Sequence, residues 1–344
     1  MKLSIKSKTK KPKTNQLSTG LRLLNLPLTG STRRGLKKGI GVLLVGDSST
    51  GKTWLLMQLL AEAAKNRAFD KYQFRFNNAE NGMLIDVVKY YGKEVNRRLE
   101  TTSSESLEEF YYDIDDTLKK GPCIYLTDSM DALLSKDDEG KFQEEKEASR
   151  KGNKVKGSYN MSKAKKNSQN LPRIVTNLKK TGSILVIVSQ TRDNVGFGAM
   201  FNPKTRSGGK AMKFYAHVEL WTSIVKTLKK KLHDKERKIG AIVKFDIQKN
   251  RLSGWEGSIE IPFIKNYGFD DIGSCISFLV EEKHWSENKN VINAKDFSLK
   301  CKREALINRI ENNIKMEKKL YKIVKRVWDE VEEESKPKRK SKYE

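Results

Sequence analysis

The chain has 344 residues, 37% of them hydrophobic, enough to bury the core of one large domain and a smaller companion. Its 69 Lys and Arg against 43 Asp and Glu leave a net charge of +26, which points to a polyanionic partner, a nucleic acid before an anionic membrane surface. No apolar stretch approaches the roughly 20 residues of a membrane span and the start lacks a signal-peptide core, so an intracellular protein without a membrane segment is expected. Cys123, Cys275 and Cys301, like His217, His233 and His284, are too scattered for a zinc site or a disulfide framework.

Residues 1–16, MKLSIKSKTKKPKTNQ, carry six lysines and no acid and read as a flexible basic arm; Leu3 and Ile5 alternate with polar residues and suit a strand added to a neighbouring molecule. From 17 to 255 apolar runs alternate with helical patterns, which predicts an α/β fold, a mainly parallel central sheet with helices on both faces. IGVLLV at 40–45 reads as a buried parallel strand, and TWLLMQLLAEAAKNR has helical spacing. Between them lie Gly46, Asp47, Ser48, Ser49, Thr50, Gly51, Lys52 and Thr53, with the spacing of a phosphate-binding loop. Backbone N–H groups of such a loop cradle phosphates, the lysine reaches the β and γ oxygens, and the hydroxyl of Thr53 ligates Mg²⁺.

KYQFRF, CIYLTDS and SILVIVS read as further strands. Asp128 ends the second of these, where an acid completes a Mg²⁺ shell, and Glu80 in FRFNNAENG is a carboxylate placed to orient or deprotonate water. HVELWTSIVKTLKKKLHDKERKIGAIVKFDI reads as a basic hairpin, two β-rich runs around a charged turn. From 256 to 331 the composition implies a small C-terminal domain: one short strand, the helix DDIGSCISFLVEEKHW, and a long helical stretch over 303–331. There Leu306, Ile310, Ile314, Leu320, Ile323, Val324 and Val327 keep the spacing of a packed face. The tail at 332–344 is highly charged and is expected to be disordered.

Two segments suit single-stranded nucleic acid. Residues 150–166, RKGNKVKGSYNMSKAKK, offer Arg150, Lys151, Lys154 and Lys156 with Tyr159 and Met161. Residues 191–213 combine Arg192, Lys204, Arg206, Lys210 and Lys213 with Val195, Phe197, Met200 and Phe201, and with glycines that include Gly208 and Gly209. Cations neutralise phosphates while apolar side chains wedge or stack between bases.

LSTGLRLLN, GDSSTGKT, NNAENGML, LTDSMDAL and above all SQTRDNVGFGAMFNPKTRSGGKAMKFYAHVEL resemble, in order and spacing, the ATPase core of the RecA family of recombinases, over about two-thirds of the chain. The resemblance implies a DNA-dependent ATPase that takes ATP and Mg²⁺, forms a head-to-tail helical filament on single-stranded DNA, and pairs it with homologous double-stranded DNA. A single-strand-binding or mediator protein is a further partner to expect. It makes Glu80 the water-activating glutamate, Gln190 the γ-phosphate sensor, and Lys249 with Arg251 a basic pair that reaches a neighbour's ATP; the two basic segments match the family's DNA-binding loops. The chain departs from bacterial RecA in a charged insertion at about 135–154, in Val87 where a tyrosine stacks on adenine, and in a lysine-rich tail. It shows no extra N-terminal helical or zinc domain, which points away from the archaeal and eukaryotic recombinases, and it resembles compact, virus-encoded recombinases of the UvsX kind. A hexameric helicase, and an annealing or mediator protein with little ATP turnover, are the alternative readings.

Overall fold

A computed structural model describes residues 14–151, 160–193, 204–206 and 209–339. One large sheet organises the chain. Its strands run in the order Gly268–Phe269, Gly257–Ile264, Lys235–Asn250, Val218–Leu232, Ile40–Gly46, Ile184–Asp193, Cys123–Thr127, Gln73–Asn77 and Leu99–Thr102, with the short Lys204–Arg206 strand attached to Ile184–Asp193. The half from Val218–Leu232 to Leu99–Thr102 is parallel and the remainder antiparallel, so the expected α/β architecture is the one observed. Ile40–Gly46 is buried along its whole length, as its unbroken apolar run requires of a central strand covered on both faces.

The two faces carry separate cores. On one, Val42, Leu44, Phe74 and Phe76 pack under the helix Lys52–Ala64. On the other, Leu43, Val45 and Tyr125 meet Phe110 and Ile114 of the helix Leu107–Lys120 and Ile174 and Leu178 of Asn160–Thr181. Ser106 starts the former by accepting the Glu109 N–H. The charged insertion is also helical, Lys136–Arg150, capped by Ser135. The basic hairpin forms as expected; His233 and Asp234 at its tip have φ of 49° and 61°, the two left-handed residues of a tight turn that matches strand twist.

Several boundaries move. The sheet does not stop near 255, because Gly257–Ile264 pairs with Lys235–Asn250 over eight residues and then with Gly268–Phe269. The small domain holds a three-stranded antiparallel sheet, Ser286–Asn288, Val291–Ala294 and Leu299–Lys302, in place of the one strand expected. The 303–331 stretch is two helices, Arg303–Glu311 and Ile314–Glu334, since Asn313 caps the second by accepting the Lys315 and Met316 N–H groups. That break leaves Ile314 58% exposed, whereas Leu306, Ile310, Leu320, Ile323, Val324 and Val327 are buried as their spacing implies. The helix runs into the tail as far as Glu334. At the start, Thr14 bonds to Asn66 and Gln16–Leu17 pairs with Leu36–Lys37, so the arm is anchored before residue 17; Leu3 and Ile5 lie outside the described residues. Leu23 and Leu26 of the helix Arg22–Thr29 belong to the core of the small domain and tie it to the large one. Among the described residues no helix is long and apolar enough to cross a membrane.

Candidate nucleotide site and DNA-facing segments

The parallel strands deliver their C-terminal ends to one edge of the sheet, and the site forms there. Gly46 ends its strand beside Gln190 on one side and Thr222 on the other. A Cβ at Gly46 would lie 2.0 Å from the Thr222 hydroxyl oxygen, and one at Gly51, where φ is +82°, would lie 2.8 Å from Phe269. Both positions therefore require glycine, and the turn between them sets the loop at the N-terminus of Lys52–Ala64, where backbone N–H groups and the helix dipole favour an anion. The Lys52 ammonium donates to the carbonyls of Gly46 (2.9 Å) and Asp47 (2.5 Å). Burial pushes the Lys52 pKa down, against the opposing fields of Asp128, Glu80, Asp47 and Asp131. A cation buried this way, held by carbonyls alone, is ready for a phosphate.

Thr53 Oγ1 donates to Asp128 Oδ2 at 2.5 Å, which joins the two groups expected to hold Mg²⁺. A hydroxyl and a carboxylate are the hard oxygen donors that such an ion takes, so the residues fit it. Burial raises the Asp128 pKa, against the Thr53 hydrogen bond, which lowers it. Glu80 is exposed at the lip; its N–H donates to the Asp128 carbonyl at 3.2 Å, and its carboxylate accepts from Gln190 Nε2 at 2.7 Å and from the Ser129 hydroxyl. Lys52, Thr53, Glu80, Asp128 and Gln190 thus converge at this edge. Val87 opens the helix Val87–Tyr91 with its side chain in the core, 8% exposed, so it offers no platform for a base. Aromatic surface lies elsewhere: Trp54 packs edge-on against Tyr90 at 4.9 Å and against Phe263 at 5.5 Å, and shares a cavity with Tyr267 and Gly268. Trp54 directly follows Thr53 in sequence, the one signal that would have flagged it.

A family model of the RecA N-terminal domain matches residues 1–270. The chain belongs to the RecA family. Among similar curated proteins are Protein RecA of Trichodesmium erythraeum (strain IMS101), 28% identical over 91% of this chain and 80% of that protein, and Protein RecA of Rickettsia massiliae (strain Mtu5), 28% identical over 75% and 71%. Protein RecA of Prochlorococcus marinus (strain MIT 9215) is 29% identical over 78% of this chain and 67% of its own length. This chain is a RecA-family recombinase; the family in general is ATP-dependent, uses magnesium and forms filaments on single-stranded DNA.

The RecA-like basic pair sits away from its own phosphate loop. Lys249 pairs with Glu219 and Asn250 with Val218, while Thr222 is the residue beside Gly46. Lys249 is therefore roughly 10 Å toward the opposite edge of the sheet, and Arg251 farther. The Lys249 ammonium donates to the carbonyls of Lys213 (2.5 Å) and Phe214 (3.0 Å), and burial with Arg251 nearby lowers its pKa.

Of the DNA-binding candidates, Arg150 and Lys151 are exposed at the end of the insertion helix, and Lys210 and Lys213 are exposed on the short helix Lys210–Tyr215. Two expectations change. Arg206 is 10% exposed, bonded through Nε to Glu219 (3.2 Å), itself 1% exposed, and through NH1 to the Gly209 carbonyl (3.0 Å); it braces the sheet and is not presented to DNA. The Lys204 ammonium is engaged by the carboxylate of Asp47, which also accepts from Thr191. Lys204 holds the Asp47 pKa down, so Asp47 is a carboxylate tied to the second segment, and only its backbone is left to serve a phosphate. The backbone of Arg192 pairs with Thr205. Lys154, Lys156, Tyr159, Val195, Phe197, Met200, Phe201 and Gly208 lie outside the described residues, as does the side chain of Met161.

A salt titration separates these roles. Replacing Lys210 by Gln is expected to lower the slope of log affinity for single-stranded DNA against log salt by about 0.7, the loss of one phosphate contact. Arg206→Gln is expected to leave that slope unchanged and to lower Tm, because it removes the nearer cation from buried Glu219 and leaves it only Lys213 at 3.8 Å and the Trp221 indole N–H at 3.1 Å. A slope change in Arg206→Gln without a loss of stability would return this residue to the DNA path.

Proposed function

We propose that the chain is an ATP-dependent DNA recombinase: it polymerises head to tail on single-stranded DNA, hydrolyses ATP in response to that DNA, and catalyses homologous pairing and strand exchange. One observation carries the reading. Gln190 holds Glu80 with its side chain, while its strand continues through Thr191 into the hairpin whose Lys204 reaches the phosphate loop. The group that senses the nucleotide and the segment that meets DNA are one piece of backbone.

In this account the loop 46–53 and Lys52 hold the triphosphate, with the base toward Trp54 and Tyr267. Thr53 and Asp128 hold the magnesium, which when bound neutralises phosphate charge and fixes its geometry. Glu80 orients and deprotonates the attacking water, and Gln190 releases Glu80 as it turns to the γ-phosphate. Lys249 and Arg251 stabilise developing phosphate charge on the nucleotide of the adjacent protomer. The exposed Arg150, Lys151, Lys210 and Lys213 contribute to the DNA channel.

Electron microscopy of the protein with single-stranded DNA and a non-hydrolysable ATP analogue tests the assembly. An open helical filament is expected. Closed six-membered rings would favour a helicase, and separate bound molecules without a filament an annealing or mediator protein.

A further inference from the structure

Gln190 N–H has an acceptor that does not come from the sheet. On one side its strand is paired with Ile40–Gly46, where Gly46 lies opposite Gln190. On the other side the pairing with Cys123–Thr127 ends at Thr127 opposite Ile187, so beyond that point the strand has lost a neighbour. The carboxylate of Asp131 takes the neighbour's place: Oδ2 accepts from Gln190 N at 2.6 Å. Asp131 lies in the 3-10 turn Met130–Ala132, three residues after Asp128. The backbone of that turn is gripped in its own right. Lys163, 9% exposed, donates its ammonium to the carbonyls of Met130 (2.6 Å), Asp131 (3.2 Å) and Leu133 (3.0 Å). Three carbonyls converging on one buried ammonium fix the turn far more firmly than a solvated side chain could, since a buried cation loses heavily if any acceptor swings away. Lys163 is in the first turn of Asn160–Thr181, the helix that takes in the last residues of the 150–166 basic segment assigned above to DNA.

We infer that Asp131 and Lys163 are positioning residues that join the first DNA-facing segment to the γ-phosphate sensor. The connection runs from the Asn160–Thr181 helix through Lys163 to the 130–133 backbone, through the Asp131 carboxylate to Gln190, and through Gln190 Nε2 to Glu80. A displacement of that helix on DNA moves the acceptor of Gln190 N–H, and with it the side chain that holds the water-activating carboxylate. The second basic segment reaches Gln190 along its own strand, so both DNA-facing segments converge on the same residue. The functional half of this inference rests on the DNA-dependent ATPase reading above; the structural half does not.

The test compares Asp131→Ala, Lys163→Met and the double variant in the full chain. Hydrogen exchange of the Gln190 amide, measured without nucleotide or DNA, is expected to speed up roughly tenfold or more in Asp131→Ala, which removes the acceptor, and also in Lys163→Met, which leaves Asp131 in place. In both, the ratio of DNA-stimulated to basal ATP hydrolysis is expected to fall by about tenfold, with the double variant no worse than the weaker single one, as for two members of one connection. Unchanged Gln190 exchange in Asp131→Ala, or multiplying effects on the stimulation ratio in the double variant, would overturn the inference. So would a lower Tm with that ratio intact, which is the mark of a structural role alone. Should Lys163→Met fail to fold, the Asp131→Ala exchange and stimulation ratio decide by themselves. A wild-type protein with no DNA-stimulated hydrolysis would sink the proposed function, while the exchange result would still report on the Asp131 and Lys163 connection.

Discussion

Glu80→Gln is expected to lower DNA-stimulated ATP hydrolysis by roughly 10²- to 10⁴-fold while leaving nucleotide and DNA binding near wild type. The substitution keeps the size of the side chain and an oxygen able to accept from Gln190 Nε2, now at 2.7 Å, but removes the base. Lys52 still has its carbonyl partners, and the contact of Thr53 with Asp128 is untouched. The variant should therefore still form filaments, and a filament lifetime longer than wild type is expected if hydrolysis drives release. Single-turnover hydrolysis and filament lifetime, measured on the same preparation, check both halves. Hydrolysis at the normal rate would mean that another carboxylate activates the water.

Complementary inactivation is expected to expose a site shared between protomers. Lys249 and Arg251 lie toward the edge of the sheet opposite their own phosphate loop, a placement that suits a neighbour's nucleotide better than their own. Lys52→Ala, and Lys249→Ala combined with Arg251→Ala, should each be nearly inactive. Mixed equally with random co-assembly, half the interfaces carry an intact phosphate loop and half an intact basic pair, so about a quarter carry both. Activity near a quarter of wild type is the expected reading on DNA that both variants coat. A mixture as inactive as its components, despite co-assembly, would confine the pair to its own subunit.

What the sequence made legible was local or periodic. The phosphate loop is eight consecutive residues between a strand and a helix, and its spacing alone states its chemistry. Asp128 could be placed because it ends an apolar run, and the hairpin because apolar residues alternate around a charged turn. What stayed hidden depends on partners far apart in the chain. Arg206 reads as one more cation of a basic loop, yet buried Glu219 claims it. Lys204 reads the same way and is engaged by Asp47, 157 residues away. Asp131 and Lys163 gave no signal, because the first looks like a turn residue and the second like part of a charge run; only the early end of the Cys123–Thr127 strand creates the gap that Asp131 fills. The small three-stranded sheet was missed because its strands are short and built from Ser, Asn, Lys and Glu as much as from apolar residues. Its turn at Lys289 and Asn290, with φ of 46° and 65°, is made by backbone conformation more than by composition.

ATP binding on this fold is proposed to drive homologous pairing. The most direct measurement is joint-molecule formation between a single strand coated by the wild-type protein and a duplex that either matches it or does not, with ATP and Mg²⁺ present. Joint molecules are expected with the matching duplex, none with the unrelated one, and none for Lys52→Ala. ATP-dependent unwinding of both duplexes without joint molecules, or pairing that proceeds equally well in Lys52→Ala, would contradict this proposal.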